Sequence, residues 1–210
     1  RMRHDGREVM VHVANSGRLE ELLRPEHPMY LTPAPPESLR KTAYTLALVE
    51  VNGALVSADA RLPNALVREA IEADVVPELA GYRSIAQEVR FGESRLDLVL
   101  SGLQGQCYVE VKSVTLVENG VGLFPDAPTE RGRKHVRSLG EAIRQGHRAA
   151  AVFVIQRPDV RSFSPNEVAD PHFCETLRES VALGVEVYAY RCAVTRSRID
   201  ISKAVPVRIA

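Results

Sequence analysis

Two acids and a lysine stand in the most strand-like stretch of this 210-residue chain: Asp97, Glu110 and Lys112, within RLDLVL–SGLQGQ–CYVEVKSVTL, residues 95–116. Side chains alternate faces along a strand, so Glu110 and Lys112 share one face and Val109 and Val111 the other. If the two segments are neighbouring strands, the Asp97 carboxylate approaches that of Glu110. Two carboxylates held close repel, so one keeps a proton or both share a cation. An oxygen-only set of Asp97, Glu110 and the backbone carbonyl of Val111 favours Mg²⁺ or Mn²⁺. A metal so placed polarises a phosphoryl oxygen and activates water. Lys112 would orient that water or stabilise transition-state charge. The same pattern also arises from ion pairs on an exposed sheet face, but the flanking residues here are apolar and point to a buried or half-buried sheet.

The elements around the triplet fall into two regions. Residues 8–58 read as short strands: EVMVHVA, PMYL, RKTAYTLALVEV and, after the hairpin signal Asn52–Gly53, ALVSA. LTPAPPES is a loop. Several strands with almost no helix suggest a small β-barrel or sandwich over 1–60. From residue 61 the pattern changes. Pro63 opens a helix with apolar positions at 66, 67, 70 and 71. SIAQEVRF, SRLDLVL and CYVEVKSVTL follow as strands, and VENGVGLFPDAP reads as a loop. Thr129 caps a helix that stops at Gly146. RAAAVFVIQ is a strand covered on both faces. A helix ending at Gly184 and the strands VEVYAY and RSRIDI complete an α-β-β-β-α-β-α-β order, a mixed α/β sandwich over 61–210.

Charge narrows the partners. Lys and Arg together number 27, as do Asp and Glu, so the net charge is zero and any polyanion site is a local patch. The densest patch is TERGRKHVR, with Arg131, Arg133, Lys134 and Arg137 around His135, at the start of the helix that Thr129 caps. Cations are unfavourable there, and a phosphate would relieve them. Arg18, Arg40 and Lys41 make the β region a second candidate surface, with only Tyr30 and Tyr44 nearby for stacking and no Trp in the chain. Gln156, ending the core strand, is a candidate for metal-bound water or phosphate.

Cys107, Cys174 and Cys192 lack any Cys-x-x-Cys spacing, which predicts buried thiols in a reducing, cytoplasmic setting and no zinc. His4, His12, His27, His147 and His172 have no metal spacing and read as surface or structural. No stretch is long enough to span a bilayer. The chain opens on Arg1 rather than Met, so the β region is expected to lack its first residues.

SRLDLVL and CYVEVKSVTLVENGVGLFPDAPTERGRKHVRSL, followed by AVFVIQRPD, FSPN, DPHF and GVEVYAY, resemble the sugar fermentation stimulation protein (SfsA) family, of bacterial or archaeal type. HVANSGRL, RKTAYTLALVEV and LPNALVREA extend the likeness over nearly the whole chain. The resemblance implies an N-terminal OB-like barrel, a C-terminal domain similar to the PD-(D/E)xK nucleases, DNA binding and a regulatory role in sugar, notably maltose, metabolism. On that pattern the acids are Asp97 and Glu110 and the lysine is Lys112, with Leu96 where the motif has proline. Related nuclease folds add a helix acid, for which Glu69 is the candidate. Three functions compete: a Mg²⁺- or Mn²⁺-dependent nuclease on DNA, RNA not excluded, that grips phosphates with little sequence specificity; a DNA-binding regulator that does not cleave; and a protein that binds a sugar or a phosphorylated metabolite. The absence of a helix-turn-helix weighs against a regulator of the usual kind.

Overall fold

The computed structural model describes residues 2–4, 6–35, 37 and 39–209, without the side chains of residues 3 and 4. Arg1, the His4 side chain, and Pro36 and Ser38 of the proline-rich loop lie outside the described residues.

The N-terminal part is built of short strands. β1 (Met2–His4) and β2 (Arg7–Val9) form a hairpin. β3 (Val11–His12), β4 (Met29–Pro33), β5 (Tyr44–Val51) and β6 (Ala54–Ser57) make a second sheet in which β5 pairs with the other three. Asn52 and Gly53 both carry positive φ, 50° and 79°, as a two-residue hairpin turn requires. Leu19, Leu22, Leu46, Val49 and Val56 fill the core of this part. β5 begins at Tyr44, four residues later than the strand pattern suggests.

α1 (Leu62–Glu72) follows, with Pro63 in its first turn and the expected stripe of Leu66, Val67, Ala70 and Ile71 buried. β7 (Ser84–Phe91), β8 (Ser94–Gly102) and β9 (Gly105–Val114) are antiparallel neighbours. β10 (Val117–Glu118) and β11 (Val121–Phe124) come next, then α2 (Glu130–Arg144), β12 (Arg148–Ile155), β13 (Ser162–Pro165), α3 (Pro171–Leu183), β14 (Glu186–Val194) and β15 (Ile199–Ala204). The central sheet runs β15-β14-β12-β9-β8-β7, with β9, β12 and β14 parallel, so the fold is a mixed α/β sandwich. One face packs on α1, the other on α2 and α3. β12, the continuous apolar run, lies in mid-sheet and is buried at every position after its first. No helix among the described residues is long and apolar enough to cross a membrane.

A further stretch differs from the sequence expectation. VENGVGLFPDAP is not a simple loop, because its β10–β11 hairpin joins β13 in a small three-stranded sheet. β13 is SFSP, whose small polar residues carry no apolar run. Pairing with β11 in parallel, not intrinsic propensity, makes it a strand.

α2 and α3 are locked together at their N-termini. Thr129 Oγ1 accepts from the Gly132 amide, 3.0 Å, as the expected cap. Asp170 caps α3 through the Phe173 amide, 3.0 Å, and also accepts from the Thr129 amide, 2.8 Å, and from Arg133, 3.1 Å. Burial opposes the charged form of Asp170, but those amides and the Arg133 guanidinium outweigh it and lower its pKa. A lowered carboxyl pKa adds stability above the unfolded-state value, about 3.9 for Asp, and that stability is lost as pH falls through the folded value. Asp170→Ala should cost about 2–4 kcal/mol near neutral pH, from two lost caps and an unpaired arginine. In urea melts the gap from the unsubstituted protein should close below pH ~4; a gap that stays constant to pH 3 would show that charge plays no part.

Candidate functional site

Asp97 sits where the central sheet comes apart. The β8–β9 register runs from Gly102↔Gly105 to Leu98↔Val109 and stops. One more step would pair Asp97 with Glu110. Instead, the Asp97 side chain enters the ladder, and Oδ2 accepts from the Val111 amide, 2.8 Å. On its other side Asp97 is skipped again, opposite Glu88, which carries a positive φ of 51°. The strand changes face at this point. Leu96 joins the core under α2 and α3, whereas Leu98 and Leu100 join the core under α1. Residues two apart on a regular strand share a face, so the chain twists at Asp97. The second carboxylate oxygen, Oδ1, accepts from Asn64 of α1, 2.8 Å.

Glu110 and Lys112 face α2, while Val109 and Val111 face α1, as strand alternation requires. Glu110 is 2 % exposed. Its Oε1 accepts from Lys112 Nζ, 2.6 Å, and from His135 Nδ1 of α2. Burial opposes the charge on Glu110, but the hydrogen bonds from His135 and Lys112 prevail and lower its pKa. Asp97 shifts the other way. Burial raises its pKa first and the Glu110 charge second, against the Val111 amide, Asn64 and Lys112. The two carboxylates therefore feel each other although their partners come from opposite layers, Asn64 from α1 and His135 from α2.

The donor set suits a hard cation. Glu110 Oε2 is buried with no hydrogen-bond partner. An anionic oxygen so placed is costly unless something positive meets it. Each Asp97 oxygen has one protein donor and keeps a further lone pair. Two carboxylates and a backbone carbonyl are the oxygen ligands that Mg²⁺, Mn²⁺ or Ca²⁺ take. Among the described residues no group of three or more His, Cys, Asp or Glu could hold a metal, so water or substrate would complete the shell.

The remaining candidates separate. Glu69 is exposed on α1; the contact of that helix with the site is Asn64, five residues earlier and about 140° away around a helix of 3.6 residues per turn. Gln156 is fully buried, and its side-chain Oε1 has no hydrogen-bond partner. Its Nε2 donates to the Asp59 carbonyl, 3.1 Å, and to Ser113 Oγ, 2.9 Å, and its backbone carbonyl accepts from the Ser57 amide. It ties the N-terminal strands to β9. The basic cluster is less bare than its sequence suggests. Asp170 holds Arg133, and Lys134 lies 3.4 Å from Glu93, while Arg131 and Arg137 are exposed. Arg18, Arg40 and Lys41 are exposed on the N-terminal part, and the Arg18 amide donates to Asp126 Oδ2, 2.7 Å, in the segment that leads into α2. All three cysteines are buried and free; burial raises the Cys107 thiol to about 11.

Two residues of the site escape a strand-based reading. His135 stands between basic neighbours but occupies the buried stripe of α2 with Gly132, Val136 and Leu139. A polar residue on an apolar stripe directed at a strand that carries two charges was the available signal. Asn64 gave none, since a polar residue in the first turn of a helix is ordinary.

Comparison with known proteins matches residues 61–198 to a family model described as the sugar fermentation stimulation protein RE domain and residues 1–58 to one described as the SfsA N-terminal OB domain. A sugar fermentation stimulation protein homolog of Moorella thermoacetica is 49% identical over 207 residues, 98% of this chain and 89% of the relative. One of Desulforamulus reducens is 44% identical over 198 residues, 94% and 82% of the two chains. The solved structure of Pyrococcus furiosus SfsA in complex with Ca²⁺ superposes with a TM-score of 0.86 at 36% identity, covering 94% of this chain and 84% of that one.

Removing His135 should expose the strain of holding Glu110. His135→Ala is expected to lower stability by about 1–3 kcal/mol, the cost of taking a donor from a buried acceptor. His172→Ala, at an exposed position, should stay within about 0.5 kcal/mol of the unsubstituted protein. Denaturant melts of the two variants side by side provide the check, and equal midpoints would mean that Glu110 does not depend on His135.

Proposed function

The chain belongs to the sugar fermentation stimulation protein family, and from that premise we propose that it is a divalent-metal-dependent phosphodiesterase acting on nucleic acid, DNA foremost. The observation that carries this reading is the buried, partnerless Oε2 of Glu110 beside an Asp97 whose pKa is raised. Asp97, Glu110 and the Val111 carbonyl would hold one Mg²⁺ or Mn²⁺. The Pyrococcus furiosus relative in complex with Ca²⁺ supports the choice of a hard cation, since all three ions take oxygen ligands. When bound, such an ion supplies Lewis-acid polarisation of a phosphoryl oxygen and an acidified water.

The chain's own residues would do the rest. Asn64 and the Val111 amide aim Asp97. His135 keeps Glu110 charged and oriented from the α2 side. Lys112 Nζ, on the same strand face and partly exposed at 12 %, would turn from Glu110 toward the attacking water or the phosphate and stabilise developing charge. Arg131 and Arg137 would meet backbone phosphates, which gives affinity without sequence preference.

A second reading draws on the 2.6 Å Lys112–Glu110 pair itself. If Lys112 only neutralises Glu110, the protein binds DNA without cutting it and would act on sugar metabolism as a regulator by binding alone.

Lys112→Ala separates the two. On the nuclease reading, metal-induced thermal stabilisation and DNA binding persist, and turnover of labelled DNA or RNA in Mg²⁺ or Mn²⁺ falls by roughly two to four decades. An unsubstituted protein that cleaves neither DNA nor RNA with either ion, EDTA serving as the blank, rejects that reading and promotes the binding-only one.

The phosphate grip has its own check. Because Arg133 is engaged with Asp170, the informative change is Arg131→Ala with Arg137→Ala. Each lost phosphate contact should flatten the slope of log affinity against log salt by about 0.9 on duplex DNA. An unchanged slope would move the grip away from α2.

A further inference from the structure

Asn64 brings α1 to the carboxylates. Its Nδ2 donates to Asp97 Oδ1 at 2.8 Å, between residues 33 positions apart in the chain. A side-chain amide has a donor end and an acceptor end. The donor end faces Asp97, because an amide oxygen turned that way would meet a carboxylate oxygen with no hydrogen between them. Asp97 Oδ2 accepts from the Val111 amide, also at 2.8 Å. Both oxygens of this acid are therefore held by neutral N–H groups.

The helix by itself would favour an acid at this position. Asn64 lies in the first turn of α1, and that turn holds no acidic residue. Negative side chains are stabilising at a helix N-terminus, and aspartate has nearly the shape of asparagine. An aspartate here would instead face Asp97 with like charge in a half-buried place, where two carboxylates repel. The neutral amide goes against the preference of the helix and agrees with the site. Local rules broken in this way are expected at functional positions.

Charge sets how many cations the cluster can take. Asp97 and Glu110 bring two negative charges, and Lys112, bonded to Glu110, returns one positive. A first divalent ion already turns the cluster positive. A second ion, about 3.5–4 Å from the first as in two-metal sites, would add two more positive charges with no further carboxylate to meet them. Among the described residues no group of three or more His, Cys, Asp or Glu could hold a metal, and Glu69 of α1 is exposed. The side of Asp97 that faces α1 carries the Asn64 N–H instead.

We propose that Asn64 is the positioning residue that limits the site to a single divalent cation, by holding Asp97 with a neutral amide where a third carboxylate would bring in a second ion. In two-metal sites the attacking and the leaving oxygen are both met by metal. With one ion, Lys112 Nζ, 2.6 Å from Glu110 Oε1, is the positive group placed to meet the other oxygen. This limit presupposes that Asp97 and Glu110 bind metal, as the phosphodiesterase reading holds; it does not depend on turnover.

The test titrates Mn²⁺ into the full chain by calorimetry, without nucleic acid, and records the electron paramagnetic resonance spectrum of the loaded protein. Equivalents that survive Asp97→Ala lie elsewhere and are subtracted. The unsubstituted protein should bind one equivalent at the site. Asn64→Asp should bind two, with the spectrum of a coupled pair about 3.5–4 Å apart. Asn64→Ala removes the amide without adding charge and should stay at one. Thermal melts establish that the variants fold, and Asn64→Glu carries the same test should the shorter acid unfold the protein. A coupled pair in the unsubstituted protein, two equivalents in Asn64→Ala, or a single tighter equivalent in the acidic variants would each overturn the proposal while leaving the metal site in place. If Asp97→Ala loses no equivalent, the metal reading of Asp97 and Glu110 falls, and the limit with it.

Discussion

A charged carboxylate buried in an apolar sheet has to be held by donors on every side it presents, and Glu110 is held on one oxygen only. Much of the C-terminal fold converges on that residue. Lys112 reaches it because strand alternation returns to the same face after two positions. His135 reaches it because Thr129 caps α2 so that the helix starts at Glu130 and no later, which sets the register of the buried stripe. Thr129 is in turn held by Asp170, the cap of α3. A chain of hydrogen bonds thus runs from the start of α3 through the start of α2 to the middle of β9. Displacing α2 by one residue would turn His135 by about 100° and leave Glu110 with Lys112 alone.

The sequence carried this site unevenly. Asp97, Glu110 and Lys112 stood out because charged residues inside strand-like apolar runs are costly and so informative. The order of helices and strands followed from period and caps: Thr129 starts its helix, and Gly146 and Gly184 follow the ends of theirs, as read. His135 and Asn64 were hidden because their roles depend on which strand their helix crosses, and local pattern does not contain that. Asp170 was hidden for the same reason: its partner Thr129 is 41 residues away in the chain. The basic run on α2 read as a uniform patch, yet Asp170 holds Arg133 in a part-buried pair, whereas Arg131, Lys134 and Arg137 are exposed, Lys134 lying 3.4 Å from Glu93. The β13 strand could not be seen at all, since its residues become a strand only when β11 lies beside them.

Asp97 shows how a sheet makes room for chemistry. Its side chain takes a ladder hydrogen bond that a backbone carbonyl would otherwise accept. The ladder ends, β8 twists, and Leu96 moves to the opposite core from Leu98. The carboxylate is thereby fixed without a rotamer search, because one oxygen is tied to the backbone of the neighbouring strand and the other to α1. Gln156 extends the same economy to the N-terminal part, linking Ser57 and Asp59 to β9 through its backbone and side-chain amides. The N-terminal part and the strand that carries Glu110 are therefore joined by hydrogen bonds through one side chain.

Stability alone does not account for the His135–Glu110–Lys112 arrangement. Replacing a buried ion pair by apolar residues of similar volume is commonly neutral or stabilising by about 1–4 kcal/mol. A sheet position between Val109 and Val111, under a helix with a large apolar stripe, would accept valine or threonine readily. Instead, the fold keeps a glutamate there, satisfies half of it from two elements, and leaves the second oxygen bare. Were the lysine there only to neutralise the acid, an apolar pair would serve the fold as well or better. A buried carboxylate with one oxygen held and the other without a partner carries a local cost that stability does not explain, and such locally unfavourable positions are where functional sites are expected.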